Sequence, residues 1–202
     1  HIILMNDRGP GPQSLNFPTM DYETLLAQSN ETEDFPELSE NDPALLRNTG
    51  STVFEPDALL YTQRALFLHG MALCLPDNLG LAFEDTFMPV TPMFHANGWG
   101  LPFACCLTGT NIVFPGAQLM GKPLAELLES ESVTHAAGVP SVWSALYEYL
   151  KRSHHDLTCL RELLIGGMAA PDTLTDAFHE DFGITVRHVP GMAVMAPAVT
   201  YR

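Results

Sequence analysis

Apolar residues recur along the chain at two spacings, which predict two kinds of element. Leu124, Leu127 and Leu128 follow the i, i+3, i+4 spacing of an amphipathic helix. Short apolar runs bounded by polar or turn residues instead predict buried strands. The predicted helices are Ala65–Leu75, Leu101–Leu107, Pro123–Ser130, Ser141–Leu150 and a helix whose first residue is Pro171. The predicted strands are His1–Met5, Thr86–Val90, Asn111–Phe114, Val133–Ala136, Glu162–Ile165 and Ile184–His188.

Strands that alternate with helices of this length predict an α/β fold. Right-handed crossover connections make the sheet mainly parallel and doubly wound, with helices on both faces. In such sheets, ligands bind at loops that leave the carboxyl ends of the strands. The candidate loops are Arg47–Ala58, Pro92–Gly100, Gly166–Pro171 and the loop that follows His188.

The first part of the chain has a different composition from the rest. Between Asp21 and Asp42 the sequence is rich in acidic residues, which favours a solvated linker or surface loop. We therefore expect residues 1–43 to form an N-terminal strand and an acidic linker. Residues 44–202 are expected to form the α/β core.

The charge balance excludes some classes of partner. The formal net charge is -15, with only 9 Lys and Arg residues, so the surface should repel nucleic acid and anionic lipid. No apolar run is long enough to span a bilayer, and the N-terminus lacks the features of a secretory signal. The four cysteines have no metal-binding spacing, and adjacent Cys105 and Cys106 are interpreted as core thiols. A cytoplasmic protein without a metal site fits this pattern.

Two intact segments carry a family resemblance. Met88–Trp99 reads MPVTPMFHANGW and Leu164–Pro171 reads LIGGMAAP. Both segments resemble AMP-forming fatty-acid–CoA ligases, which are adenylate-forming enzymes. The resemblance covers most of Tyr22–Pro197 and implies an internal piece of the large N-terminal domain of such an enzyme. A C-terminal lid domain that carries a catalytic lysine would then be absent from this chain.

The resemblance implies ATP and Mg²⁺ as cofactors and fatty acid and CoA as partners, and it leaves a homodimer open. Activation joins two anions, so the site needs phosphate-binding N–H groups, a lysine and a carboxylate for Mg²⁺. The family loop resembles TSGTTGxPKG, and this chain has TGSTVFEPDA at Thr49–Ala58. The implied nucleotide-binding residues there are Thr49, Gly50, Ser51 and Thr52.

The same loop departs from the family pattern where the phosphates would bind. Phe54 stands at a glycine position, and Asp57 stands where the family has its lysine. At a surface-like dielectric, a unit charge about 4 Å from phosphate is worth on the order of 4 kcal/mol, and Asp57 has the wrong sign. The sequence therefore makes ATP and Mg²⁺ doubtful for this chain.

A second nucleotide motif is also altered. The family has an aromatic residue followed by GMTE, and the corresponding residues here are Pro190, Gly191, Met192, Ala193 and Val194. Gly191 and Met192 are retained as nucleotide-binding candidates, but Val194 replaces the glutamate that helps to hold Mg²⁺. The side chains of Ala193 and Val194 cannot bind a hard cation.

The remaining motifs match the family. Gly166, Gly167, Met168 and Ala169 match a loop near the adenine, although a strand-to-helix turn alone would also require glycine. The implied acyl-binding residues are His95, Asn97, Trp99, Gly138 and Val139. A tryptophan at the position of Trp99 gates the fatty-acid tunnel in some long-chain enzymes. A core aromatic at Trp99 and a hydrogen-bonded buried imidazole at His95 are equally weighted alternatives, and Trp143 is interpreted as core.

Three functions remain open at this stage. The chain is a fragment of an active ligase, a degenerate ligase that binds fatty acyl groups without ATP, or a relic with a structural or interaction role. We expect a fragment that is inactive alone, with no catalytic residue of its own. The substitutions at Asp57 and Val194, beside intact acyl motifs, favour the second function over random decay.

Overall fold

The structure is a computed structural model of the 202-residue chain. It describes residues 2–4, 19–29, 35–48, 58–94, 96–116, 119–169 and 171–189. The chain divides into two compact units, His1–Leu38 and Ser39–Arg202. Each unit is described by itself below.

The first unit contains two short strands and one helix. Strand β1 (Ile2–Leu4) pairs in parallel with β2 (Thr19–Asp21). Helix α1 (Tyr22–Gln28) follows, and the Asp21 carboxylate caps it by accepting from the backbone N–H of Thr24 at 2.9 Å. The acidic stretch, expected to be a linker, thus includes a helix. That helix buries no residue, although Tyr22, Leu25 and Leu26 are spaced along one of its faces.

The second unit contains the elements that form the α/β core. Its strands are β3 (Pro43–Asn48), β4 (Ala58–Thr62), β5 (Thr86–Pro89), β6 (Asn111–Ile112), β7 (His135–Gly138), β8 (Glu162–Ile165) and β9 (Thr185–His188). Its helices are α2 (Gln63–Cys74), α4 (Leu101–Thr108), α5 (Lys122–Ser130), α6 (Pro140–Leu150) and α7 (Asp172–Phe182). The short element α3 (Ala96–Trp99) has left-handed backbone at Asn97, Gly98 and Trp99 and is a turn rather than a right-handed helix. Strands and helices alternate from β4 onward, as the sequence predicts.

Five strands form a parallel sheet in the order β6-β5-β7-β8-β9. The chain leaves β5 toward β6 on one side and then returns to β7 on the other side. This reversal creates a topological switch point between β5 and β7, where the carboxyl ends of the two strands form a crevice. The predicted α/β fold with a parallel sheet is confirmed.

Each face of the sheet packs against helices. Met88, Ala136 and Leu163 point to one face, where they pack with Trp143 of α6 and Phe178 of α7. The neighbouring residues of the same strands point to the opposite face, because side chains alternate along a strand. The cluster on that face comprises Phe87, Ala137, Leu164 and Val189 from the strands and turns, with Leu73, Trp99, Leu101, Ala104 and Cys105 from the helices, and Leu79 and Leu81.

Strands β3 and β4 form a separate antiparallel pair whose connection is the predicted phosphate loop. Leu46 pairs with Leu60, and Asn48 pairs with Ala58 at the end of the ladder. Residues 49–57 lie outside the described part of the chain. Helix α2 begins directly after β4, capped by the Thr62 hydroxyl, which accepts from the N–H of Ala65 at 3.2 Å.

Several predicted boundaries differ from the structure. The third sheet strand spans His135–Gly138 rather than Val133–Ala136, because Val133 still donates its N–H to Leu128 at the end of α5. Strand β6 covers only two residues. Pro171 is the N-cap of α7, with extended backbone, and not its first helical residue.

The core-thiol interpretation is half wrong. Cys105 is buried, but Cys106 is exposed. The two neighbours lie on α4, and consecutive helical residues point about 100° apart, so only one of them can face the sheet. Burial raises the pKa of the Cys105 thiol to about 12.

Candidate functional site

The candidate site lies at the carboxyl edge of the sheet, beside the switch point between β5 and β7. Three loops meet there: Pro92–Gly100 after β5, Val139 after β7, and Gly166–Ala169 after β8. Backbone hydrogen bonds continue past the strand ends and hold these loops in register. The N–H of Val90 donates to Ala137 at 2.7 Å, and the N–H of Gly166 donates to Gly138 at 3.3 Å.

The loop after β5 contains a left-handed turn. Asn97, Gly98, Trp99 and Gly100 have φ values of 58°, 59°, 61° and 74°. Left-handed backbone costs a residue with a side chain roughly 1–2 kcal/mol, so Asn97 and Trp99 are both strained. Strain of this kind persists only where the surroundings impose it, and it concentrates at ligand sites.

One contact that holds the strained turn in place comes from His69 on α2. Its Nε2 lies 3.2 Å from the backbone oxygen of Trp99. A carbonyl can only accept, so Nε2 carries the proton. Burial lowers the pKa of His69, outweighing the opposite effect of this hydrogen bond, and the imidazole is therefore neutral at pH 7. A Cβ on Gly100 would lie 2.3 Å from the His69 ring, so only glycine fits there.

The turn presents the Trp99 indole to the loop after β8. Trp99 is buried, and its ring covers Gly166 so closely that a Cβ on Gly166 would lie 2.7 Å from the indole Cη2. The flat ring and the bare glycine therefore fit one another. This contact joins the predicted acyl segment to the predicted adenine-side loop.

A second tryptophan–glycine contact lies on the opposite face of the sheet. A Cβ on Gly138 would lie 2.8 Å from Cζ2 of Trp143, and the Trp143 indole donates to the backbone oxygen of Leu164 at 3.1 Å. Trp143 is fully buried, as predicted for a core residue. Because Gly138 lacks a side chain, the helix that carries Trp143 can pack directly under the end of β7.

The loop after β8 is open to solvent beyond Gly166. Gly167 has a φ of 79°, and its missing side chain would meet only Val139 Cγ1, at 3.6 Å. Met168 is 71% exposed, and Ala169 is also exposed. An exposed methionine at the rim of a glycine turn leaves an apolar surface next to the site.

The structure therefore brings together many of the predicted site residues. Those at one edge of the sheet are Asn97, Trp99, Gly138, Val139, Gly166, Gly167, Met168 and Ala169. The predicted nucleotide-binding residues Thr49, Gly50, Ser51, Thr52, Gly191 and Met192 lie outside the described residues, as does His95. Their proposed roles remain predictions from the sequence.

Sequence reasoning missed two residues at this edge. His69 holds the backbone of Trp99, and Thr91 is a buried threonine directly after β5. The polar side chain of His69 within the otherwise apolar run from Ala65 to Leu75 is the sequence feature that indicates a buried hydrogen bond. A hydroxyl at the end of the apolar stretch Thr86–Val90 was the corresponding signal for Thr91.

In the described part of the chain, no helix has the length and apolar character needed to cross a membrane. The described side chains also contain no group of three or more His, Cys, Asp or Glu arranged to hold a metal ion.

Comparison with known proteins identifies the family. The AMP-binding enzyme family matches residues 3–202. The chain therefore belongs to the AMP-binding enzyme family, in agreement with the resemblance of its motifs.

The relatives by sequence include fatty-acid–CoA ligases. The chain is 38% identical over 199 residues to a long-chain-fatty-acid–CoA ligase of Thermus thermophilus, covering 98% of this chain and 35% of the relative. It is 36% identical over 176 residues to a medium-chain-fatty-acid–CoA ligase of Ectopseudomonas oleovorans, covering 87% of this chain and 32% of the relative. The chain thus spans about a third of the length of these relatives.

Solved structures of adenylate-forming ligases share the fold. A long-chain-fatty-acid–CoA ligase from Archaeoglobus fulgidus superimposes with a TM-score of 0.73 and 24% identity over 85% of this chain and 36% of that one. O-succinylbenzoate coenzyme A synthetase from Bacillus subtilis, solved with ATP and magnesium ion, gives a TM-score of 0.78 and 22% identity over 92% and 38% of the chains. At these identities the likeness establishes the fold.

Proposed function

We propose that this chain is part of a fatty-acid–CoA ligase and contributes its acyl-binding surface. The complete protein would use ATP and Mg²⁺ to convert a medium- or long-chain fatty acid to acyl-AMP and then to acyl-CoA. Fatty acid and CoA would be its small-molecule partners, in the cytoplasm, with a homodimer left open. The chain by itself would not complete the two-step reaction.

One observation carries the proposal. The Trp99 indole lies on Gly166 at the carboxyl edge of the sheet, beside the switch point where α/β sheets bind ligands. Apolar surface from Leu164 and Ala137 surrounds the same indole. A large rigid apolar ring at this crevice suits a fatty acyl chain, because an acyl chain that packs against it buries apolar area without requiring polar partners.

The residues at the predicted nucleotide-binding positions do not favour ATP-dependent activity. The family uses ATP and Mg²⁺, but Asp57 replaces the loop lysine and Val194 replaces the Mg²⁺-holding glutamate. Neither substitute can neutralise a triphosphate or bind a hard cation. The second candidate function, a degenerate ligase that binds acyl groups without ATP, follows from these two positions. We therefore assign this chain no step that depends on ATP.

Calorimetry on the purified chain tests both candidates. One titration uses a long-chain fatty acid and a parallel titration uses Mg²⁺-ATP. We expect saturable heat from the fatty acid and none from Mg²⁺-ATP. Saturable Mg²⁺-ATP binding at micromolar concentration would favour a fragment of an active ligase. Absence of heat from the fatty acid would contradict the acyl-binding proposal and leave a structural relic.

A further inference from the structure

Thr91 carries a buried hydroxyl that has no hydrogen-bond partner among the described residues. The residue is 5% exposed, and its Oγ1 is fully shielded. Other buried or half-buried threonines near the sheet are paired: Thr110 donates to the backbone oxygen of Ala82 at 2.8 Å. Buried polar atoms almost always have a partner, so an unpaired one in a folded chain requires an explanation.

Thr91 lies at the position where a doubly wound sheet binds its ligand. Pro89 pairs with Ala137 in the β5–β7 register, and the N–H of Val90 donates to Ala137 at 2.7 Å. The register, continued by two residues, places Thr91 beside Val139, in the crevice at the switch point. Val139 is also one of the residues proposed to bind the acyl chain.

Strand alternation decides which way the hydroxyl points. Phe87 packs on the same face as Trp99, whereas Met88 and Val90 pack on the opposite face. Odd-numbered residues of β5 therefore face Trp99, and Thr91, two residues beyond the end of the strand, continues that alternation. The unpaired hydroxyl thus lies on the side of the sheet that the indole covers.

We propose that Thr91 is a further acyl-binding residue, whose hydroxyl donates a hydrogen bond to a carboxyl oxygen of the bound fatty acid. This inference rests on the proposed acyl-binding function. A fatty acid has one polar group, the carboxylate, and a carboxylate only accepts hydrogen bonds. The hydroxyl can donate, and no other group among the described residues uses it. In this arrangement Trp99 contacts the apolar tail, and Thr91 orients the carboxylate.

The test compares the wild-type chain with Thr91→Val, which keeps the shape and removes the hydroxyl, and with Thr91→Ser, which keeps the hydroxyl. Fatty-acid affinity is measured by calorimetry, with a fatty alcohol of equal chain length as the uncharged probe. Hydrogen bonds to charged groups are among the stronger ones, so Thr91→Val should bind the acid about tenfold more weakly. Thr91→Ser should bind close to wild type, and the alcohol should lose less affinity than the acid.

Melting temperatures of the ligand-free variants distinguish a binding role of the Thr91 hydroxyl from a structural one. Thr91→Val should keep or raise the melting temperature, because it removes an unpaired buried hydroxyl. Thr110→Val, which deletes a paired hydroxyl, should lower it. A clear loss of stability in Thr91→Val would show that the hydroxyl has a structural partner, and the proposal would then be wrong.

The binding outcomes separate this proposal from the function on which it rests. If the wild-type chain binds fatty acid and Thr91→Val binds it equally well, the assignment of Thr91 fails while the acyl-binding function stands. If the wild-type chain binds no fatty acid, both fail together. Weaker binding in Thr91→Val with retained binding in Thr91→Ser supports the assignment.

Discussion

The two edges of the five-stranded sheet are built from different chemistry. At the amino edge, where β5, β7 and β8 begin, Asp85, His135 and Glu162 are buried and surrounded by partners. At the carboxyl edge the corresponding positions hold glycines, an indole on a strained turn and the unpaired hydroxyl of Thr91.

The amino edge is a connected network of ions and hydrogen bonds. Asp85 pairs with the Arg161 guanidinium and accepts from the Thr134 hydroxyl at 3.1 Å. The His135 ring lies between carboxylates, with Nδ1 3.8 Å from Asp85 and Nε2 3.9 Å from Glu162. Arg187 Nε lies 2.5 Å from Glu162.

The two edges therefore contribute differently to the stability of the folded chain. The amino edge uses two of the chain's 9 Lys and Arg residues as counter-charges to buried carboxylates, so this edge helps to hold the strands together. The carboxyl edge keeps a strained turn and the unpaired hydroxyl of Thr91, which the proposed acyl ligand would bind. Backbone strain and unpaired buried polar groups cost free energy in the ligand-free protein, and they are typical of functional sites.

The largest expected effect comes from breaking the amino-edge network. Asp85→Ala removes the carboxylate that pairs with Arg161 and accepts from the N–H of Ala82 at 2.9 Å. Arg161 is 59% exposed and stays hydrated in the variant, so the cost comes from the lost hydrogen bonds to the buried carboxylate, roughly 1.5–3 kcal/mol each. Urea unfolding should show this loss, whereas Asp156→Ala, at an exposed position, should change stability by far less. Equal effects in the two variants would contradict the role given to the network.

Low pH should also destabilise the folded chain through the buried groups at the amino edge. Burial lowers the pKa of His135 to about 4; Asp85 opposes this shift, and the positive charges of Arg161 and Arg187 add to it. The folded state thus binds the proton less readily than the unfolded chain. The stability that neutral His135 provides is fully present above about pH 6.5 and is lost as the pH falls toward 4.

The expected loss is at most about 3 kcal/mol between pH 7 and pH 4. Burial raises the pKa of Glu162, which works in the opposite direction, because its carboxyl takes up a proton more readily in the folded state. Unfolding free energies measured across this range should depend less on pH in His135→Gln than in the wild type. His154→Gln, at an exposed site, is the control and should keep the wild-type slope.

The two tryptophan–glycine contacts at the carboxyl edge should tolerate an added methyl group to different degrees. Gly138→Ala forces a Cβ against Trp143, which is fully buried and hydrogen-bonded to Leu164, so overpacking should cost roughly 1–3 kcal/mol. Gly166→Ala meets Trp99, which sits on a strained turn and can shift, so its cost should be smaller. Thermal unfolding ranks the two variants, and a greater loss in Gly166→Ala would show that Trp99 is held as firmly as Trp143.

Much of the fold could be predicted because strand and helix spacing are local properties of the sequence. The helix at Ser141–Leu150 shows this best, since its apolar stripe is the face that packs on the sheet. Strand β7 was misplaced by two residues because its sequence, HAAG, has low strand propensity and no alternation. The helix α1 was missed because its apolar residues, Tyr22, Leu25 and Leu26, cover little more than one turn within an acidic stretch.

The site could be predicted in part. Trp99, Gly138 and Gly166 were named from motifs, and the sheet topology brings them to one edge. The left-handed turn at Asn97–Gly100 was not predicted, since only two of its four residues are glycines. The amino-edge network was missed because Asp85, His135 and Glu162 are far apart in sequence, and only their pairing in register brings them together.

On the proposed function, the carboxyl edge binds the acyl chain, while the nucleotide-binding positions are altered at Asp57 and Val194. The chain has 2 tryptophans, so indole fluorescence reports on Trp99 once the contribution of Trp143 is known from Trp99→Phe. Titration with a long-chain fatty acid should give a saturable change in the wild type that is absent in Trp99→Phe, and Mg²⁺-ATP should give none. An unchanged signal with fatty acid, or a saturable response to Mg²⁺-ATP alone, would contradict the account.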